Sequence, residues 1–299
     1  MFAIIGIVVV FGAIVGGYLM EKGNLGVLLQ PAELLIILGA ASGTVLVANP
    51  LHILTSILKG ITGVFTPSRL TKAWYLDSLK MLYELCDQAR RGGLASLEAE
   101  VDAPDKGKIF TAHPPLLKDH HICAFICDTF RTMMVGGMEP FDLDQMVEAD
   151  LEVHHHDATQ PVGALSTMAD SLPGLGIVAA VLGVVITMGA LGGPPEAIGH
   201  KVAAALVGTF LGILLCYGLV GPLAANMAKE ADAEHAYFQV LRATIVGFNK
   251  GLPPIMAVEV GRRSIPGHIR PTFQEVESLC RNRAPQSAPT PAPSAEAAA

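Results

Sequence analysis

Over most of this chain polar and apolar positions alternate with a helical period, but in four places the polar positions drop out. From Met1 to Met20, Leu34 to Leu58, Leu172 to Leu191 and Val202 to Lys229 the sequence is almost free of Asp, Glu, Lys and Arg. Each stretch can cross the hydrocarbon core of a bilayer as an α-helix, which takes roughly 20 apolar residues and satisfies every backbone group internally. The pattern predicts an all-α integral membrane protein: four transmembrane helices, paired 1 with 2 and 3 with 4 across short links, and a large helical domain carried between the second and third. The implied division is 1–58 for spans 1 and 2, 59–168 for a helical loop domain, 169–228 for spans 3 and 4, and 229–283 for a C-terminal helical segment. Residues 284–299 are almost entirely Ala, Pro and Ser, cannot bury a core and should be disordered.

Within the loop domain, Ala73 to Arg91 repeats apolar residues on one helical face and stops at Gly92 and Gly93. A second helix is expected from Leu94 to Val101, ending at Pro104, and Lys106 to Pro115 reads as a turn. The pattern resumes from Leu116 to Val135, where Gly136 and Gly137 break it. An acidic helix, Phe141 to Gln160, then leads to the third span with Pro161 as its only strong stop. After the fourth span, Ala228 to Phe248 continues as a helix into water.

Charge sets the orientation. Lys22 and Lys201 are the only basic residues in the two short links, so the positive-inside rule predicts that both chain ends and the loop domain are cytoplasmic. The first stretch lacks a basic leader and a small-residue cleavage site, so it reads as a retained helix. A net charge of −7 argues against a nucleic-acid partner and against a polybasic lipid anchor. Five cysteines, an odd number, do not make a disulfide framework in a reducing compartment. Cys123 and Cys127 lie one helical turn apart after His120 and His121, but without further matched ligands they read as an ordinary amphipathic helix rather than a metal face. No cofactor is called for. His154, His155 and His156 read as a solvated helix face.

Small residues recur at every fourth position in the apolar stretches: Gly12 with Gly16, Gly39 with Gly43, Ala179 with Gly183, and Gly208 with Gly212. Such faces let helix backbones approach closely in lipid. They exceed what four helices need among themselves, so some are expected to meet other subunits. No ionisable residue lies deep in a predicted span, Glu33 and Asp170 being placed near the ends, whereas ion movement normally requires a carboxylate at membrane depth. Either the chain does not conduct or a partner helix supplies the acid. Pro173 and Pro222, at the inner ends of spans 3 and 4, are either first-turn prolines or kinks in continuous helices.

Pro31-Ala-Glu33-Leu-Leu-Ile-Ile, Leu172-Pro173-Gly-Leu-Gly176-Ile-Val-Ala-Ala180, Gly208-Thr209-Phe-Leu-Gly212 through Pro222, and the Pro-Pro-Ile-Met-Ala-Val-Glu-Val-Gly-Arg-Arg run after Leu252 together resemble the MotA family of flagellar motor stator subunits. The resemblance runs from Met1 to about Arg283. It implies a non-enzymatic torque generator in the bacterial inner membrane: a homo-oligomeric ring, a pentamer, around a MotB-like partner that supplies the intramembrane Asp, acting on the rotor switch protein FliG. By the same resemblance Arg90 and Glu98 belong to the rotor interface, Thr209 and Ala180 to the ion path, and Pro173 and Pro222 to conformational coupling. Sodium-driven relatives tend to carry a hydroxyl where this chain has Ala180, so the resemblance favours protons. An ExbB/TolQ-like energising subunit of an envelope transport system is the alternative. Those proteins usually have three spans, and the fourth span counts against it. An intramembrane metalloenzyme and a passive scaffold are more distant readings.

Overall fold

The structure is a computed structural model that describes residues 2–281 except 137, 190, 191 and 193. The Ala/Pro tail and Gly137, expected to be a disordered segment and part of a helix stop, lie outside the described residues. Among those residues every regular element is helical. The chain divides into two compact units, one of residues 1–68 and 153–232, the other of 69–152 and 233–299.

The first apolar stretch is helix α1, Phe2–Met20. A single-turn helix α2, Leu25–Leu28, follows; Asn24 caps it, its side-chain oxygen accepting from the Gly26 N–H. Helix α3, Pro31–Ala48, begins with proline at its first position and ends earlier than the apolar run suggests. Pro50 excludes the helical conformation from the residue before it, and Asn49 is extended at φ −131°, ψ 143°. The helix of the second apolar stretch therefore does not continue to Leu58. Helix α4, Leu51–Val64, is a separate amphipathic helix that buries Ile53, Ile57 and Val64 and exposes Leu51 and Leu58.

In the second unit, α5, Lys72–Gly92, starts at Thr71, whose hydroxyl accepts from the Trp74 N–H, and stops at Gly93, φ 76°. A 3-10 turn, Leu94–Leu97, leads into α6, Glu98–Asp102. The expected turn over 106–115 instead holds two short helices, α7, Lys108–Ala112, and α8, Pro114–Leu117. The buried Glu100 carboxylate produces the first of these by accepting from the Lys108 N–H at 2.8 Å and the Ile109 N–H at 3.0 Å, a cap delivered from a neighbouring helix. Helix α9, His120–Val135, starts at Asp119, so the helix expected from Leu116 begins four residues later.

Helix α10, Pro140–Met188, passes through Pro161 and Pro173 without ending. Each internal proline removes one helix hydrogen bond and crowds the carbonyl four residues before it, at a cost of about 3 kcal/mol. Buried Ala164, Leu165, Ala169 and Leu172 give that stretch of the helix packing that offsets the loss. Of the two readings left open for Pro173, the continuous helix is the one observed. The fourth apolar stretch is α11, Pro195–Leu215, a π turn, Cys216–Val220, and α12, Gly221–Asn249, so the helix expected after the span is continuous with it.

Helices α13, Pro254–Ser264, and α14, Phe273–Cys280, close the second unit, α14 with a reciprocal capping box between Thr272 and Glu275. Its core is Tyr75, Leu79, Leu82 and Leu85 of α5, Phe110, Ile126 and Phe130, and Tyr237, Leu241 and Ile245 of α12. Tyr237 crosses it edge-on to Tyr75 at 5.4 Å and shares a 2.7 Å hydrogen bond with Ser78. Gly261 lets α13 reach α12: a Cβ there would stand 1.9 Å from Thr244 Oγ1.

Candidate functional site

Among the described residues four helices are long and apolar enough to cross a membrane, over 3–20, 25–48, 140–188 and 201–249. Two of them, α10 and α11, meet backbone to backbone. A Cβ built on Gly212 would lie 2.5 Å from the Leu172 carbonyl oxygen and 2.9 Å from Gly176 Cα. One on Gly176 would lie 2.9 Å from the Gly208 oxygen, and one on Gly183 would lie 2.8 Å from Ala205 Cβ. Ala179 is fully buried in the same seam. The small-residue pairs of the third and fourth stretches thus pack against each other inside the chain. Those of the first two do not: Gly12, Gly16, Gly39 and Gly43 meet nothing within 4 Å.

The two residues proposed for an ion path lie on the two helices of this seam, Ala180 on α10 and Thr209 on α11. The point where a Gly208 side chain would begin is 3.2 Å from the Ala180 nitrogen, and Thr209 is the next residue of α11. Both Ala180 and Thr209 are half-buried. One turn on towards Pro173 the seam is at its tightest, at Gly176 and Gly212.

Pro222 stands just after the π turn, and that turn explains how a proline is accommodated. In the wider turn the Gly221 N–H donates to the Cys216 oxygen, so the extra residue absorbs the register shift that a donorless proline imposes. Gly218, within the turn, lets α1 approach: a Cβ there would lie 3.0 Å from Val10 Cγ1. Pro222 is exposed on a groove of about 320 Å³ lined also by Ala3, Gly6, Val64 and Asn226.

Arg90, in the last turn of α5, and Glu98, at the start of α6, are both exposed, and neither enters an ion pair among the described residues. The neighbouring Arg91 pairs instead with Asp87 at 2.6 Å. Glu100, two residues after Glu98, fixes this surface from below by capping α7. Gly107 makes room for it, because a Cβ there would stand 2.3 Å from the Glu100 carboxylate.

Cys123 and Cys127 point into the core of the second unit, while His120 and His121 are exposed. Burial pushes the Cys127 thiol up to about 12, so it packs as a small hydrophobe rather than a thiolate ligand. His154 and His155 are half-buried rather than on a solvated face, and His155 Nε2 lies 3.7 Å from Asp232. Sequence reasoning missed three features: the π turn, which carries no sequence marker beyond Pro222, the cap by Glu100, and the burial of Glu33. Glu33 stands near a helix end as expected, in the first turn of α3, but it is 7% exposed, with its carboxylate turned into the α10–α11 seam.

Comparison with known proteins fits this arrangement. The Motility protein A N-terminal family matches residues 4–93, and the MotA/TolQ/ExbB proton channel family matches residues 118–239. The chain is 39% identical to Motility protein A of Escherichia coli strain K12, over 94% of this chain and 95% of the relative. This chain belongs to the motility protein A family. Chemotaxis protein LafT of Vibrio parahaemolyticus is 36% identical over 91% of this chain and 96% of its own length. Among solved structures, C. jejuni MotAB matches at TM-score 0.73 and 20% identity, covering 89% of this chain and 95% of that one. The flagellar MotAB stator complex from Bacillus subtilis matches at 0.69 and 23%, with the same coverage. At those identities the structural matches speak for a shared motility protein A fold.

Proposed function

We propose that the chain is the ring-forming subunit of a flagellar motor stator in the bacterial inner membrane. With a MotB-like partner that carries an intramembrane Asp, it couples inward proton flow to rotation of a ring of its own copies, five in number, and so to torque on the rotor switch protein FliG. The observation that carries this reading is the sorting of the small-residue faces. The α10–α11 seam is closed inside the chain, whereas the Gly12–Gly16 and Gly39–Gly43 faces are open and suited to meeting other helices. Exposed Ile177, Val181, Ile186 and Leu206 surround the seam with apolar surface for lipid or for neighbouring subunits.

The distribution of Lys and Arg supports a topology with both termini and the second unit in the cytoplasm. There Arg90 and Glu98, exposed and free of internal ion pairs, are available to opposite charges on the rotor, which would steer contact and register. Pro173 and the π turn with Pro222 are the places where a change in the seam would alter the course of the two long helices. Ala180 offers no hydroxyl to a dehydrated sodium ion, which favours protons. The envelope-transport alternative is disfavoured by the four apolar helices and by the N-terminal match over residues 4–93.

The test is swimming of a strain lacking its own stator, complemented with this chain and its partner at fixed proton-motive force, with and without sodium. Swimming without sodium is the expected result. Swimming only with sodium would overturn the ion assignment, and inserted protein that never restores swimming would overturn the stator reading.

A further inference from the structure

The seam contains an acid of this chain's own. Glu33, in the first turn of α3, is 7% exposed, and its carboxylate fills the space left by two glycines of the other helices. The Cβ position of Gly208 on α11 lies 2.8 Å from Glu33 Oε2, and that of Gly183 on α10 lies 3.5 Å from Oε1. The same Gly208 position is 3.2 Å from the Ala180 nitrogen, so the carboxylate lies close to the Ala180 backbone and to the residue that precedes Thr209. Oε2 is buried and has no hydrogen-bond partner among the described residues.

An acidic residue in a first helical turn is ordinarily explained by the helix dipole. That account suits a side chain folded back over its own N-terminus or left in water, and α3 has no side-chain cap of this kind. A buried carboxylate oxygen left without a donor is costly when ionised, and binding a cation or a proton relieves that cost. Glycine positions of two helices, Gly183 and Gly208, border the carboxylate, and a proton needs only the carboxylate itself where a metal ion needs several oxygen ligands.

Resting on the stator reading above, we propose that Glu33 is a proton-binding site of the ion path, loaded from the outer face and emptied towards the partner's acid. The step conserves charge and atoms: an O–H bond forms on the Glu33 carboxylate as hydronium or water gives up a proton, and it breaks when the proton passes to the next carboxylate. Few other groups can share the task. On α10 the nearest ionisable residue is Asp170, thirteen residues before Gly183, and Thr187 has committed its hydroxyl to the Gly183 oxygen at 2.8 Å. On α11, Lys201 stands four residues before Ala205 on the same face. Helices α2 and α3 hold no ionisable residue besides Glu33. The side chains of Glu196 and His200 on α11 lie outside the described residues.

The experiment compares wild type, Glu33→Gln and Glu33→Asp, each with the partner, in a strain lacking its own stator. Rotation under fixed load is measured against external pH, and the number of stator units per motor is counted by a fluorescent fusion. Glu33→Gln should enter motors in wild-type numbers, turn about tenfold slower and lose the dependence of speed on external pH, whereas Glu33→Asp should keep a pH dependence at a displaced midpoint. Glu33→Gln that matches wild type in speed across the pH range would overturn the proposal and leave Glu33 as a neutral packing group. Should Glu33→Gln fail to reach the membrane, Glu33→Asp decides: a displaced midpoint supports the site, and an unchanged one overturns it. Wild type failing to swim would be a failure of the stator reading instead.

Discussion

The tightest test of the seam is Gly212→Ala. The added methyl carbon would sit 2.5 Å from the Leu172 oxygen, 2.9 Å from Gly176 Cα and 3.2 Å from the Gly176 nitrogen, where ordinary contact begins at 3.4 Å. All three atoms are backbone, so no side chain can rotate out of the way. Relief requires α10 and α11 to part by about 0.9 Å at this level, the shortfall in the closest contact. Overpacking of this kind costs about 1–3 kcal/mol. It should also loosen the next turn, where Gly176 and the Gly208 oxygen are already in close approach. Gly39→Ala is the control, since nothing of the chain lies within 4 Å of it. In a denaturant titration of the isolated chain in detergent, Gly212→Ala should unfold at clearly lower denaturant than wild type and Gly39→Ala close to it. Equal midpoints for Gly212→Ala and wild type would refute the backbone-tight seam and the packing argument drawn from it.

Three further outcomes are expected. Charge reversal of Arg90 and Glu98, as Arg90→Glu and Glu98→Lys, should lower torque at high load while changing stability by no more than about 0.5 kcal/mol, because both side chains are exposed and form no ion pair among the described residues; tethered-cell rotation alongside thermal unfolding checks this. Pro222→Ala should restore a donor beside the π turn and reduce rotation speed without reducing the number of stators per motor, read by bead assay and fluorescence counting. Glu259→Gln should destabilise the second unit at neutral pH by on the order of 3 kcal/mol at most. Hydrogen bonds from Arg262 at 2.6 and 2.8 Å, supported by Arg263 at 2.8 Å, hold the Glu259 carboxyl down from 4.5 to about 2. Because the folded-state value is depressed, its stabilisation is complete above about pH 4.5 and is lost as pH falls through about 2, so the gap between wild type and Glu259→Gln should close in acid. A gap that persisted at low pH would refute the ion-pair account.

The apolar runs made the four membrane-length helices legible because lipid leaves helix as the only option for an isolated strand-length or longer apolar segment. Their ends were less so. Asn49 and Pro50 break the second run although both sides of the break are apolar, and Pro161 and Pro173 fail to break the third although proline usually does. The first break is local, because Pro50 forces Asn49 out of the helical conformation, whereas the helix through Pro161 and Pro173 is held by the packing of Leu165 and Leu172. Ala180 is proposed for the ion path only through the resemblance, whereas the hydroxyl of Thr209 marks it as a candidate in its own right. Glu33 was visible as an acid near a helix end, but its burial was not, because that depends on two glycines, Gly183 and Gly208, that lie about 150 residues or more further along the chain.

The same glycines bear on how a local ionic event could travel. At Gly176 on α10 and Gly212 on α11 the close contacts are main chain to main chain, with no side chain between them to absorb a displacement by changing rotamer. Close-packed surfaces of this kind respond by sliding or parting as units rather than by graded deformation. Beyond the tight contact each helix has its weak point: a missing hydrogen bond at Pro173, and the π turn ahead of Pro222. A rigid seam flanked by two compliant turns concentrates motion at those turns. This arrangement predicts that Pro173→Ala and Pro222→Ala are coupled, with the double variant departing from additivity when scored by torque, whereas either proline combined with Gly39→Ala should be additive.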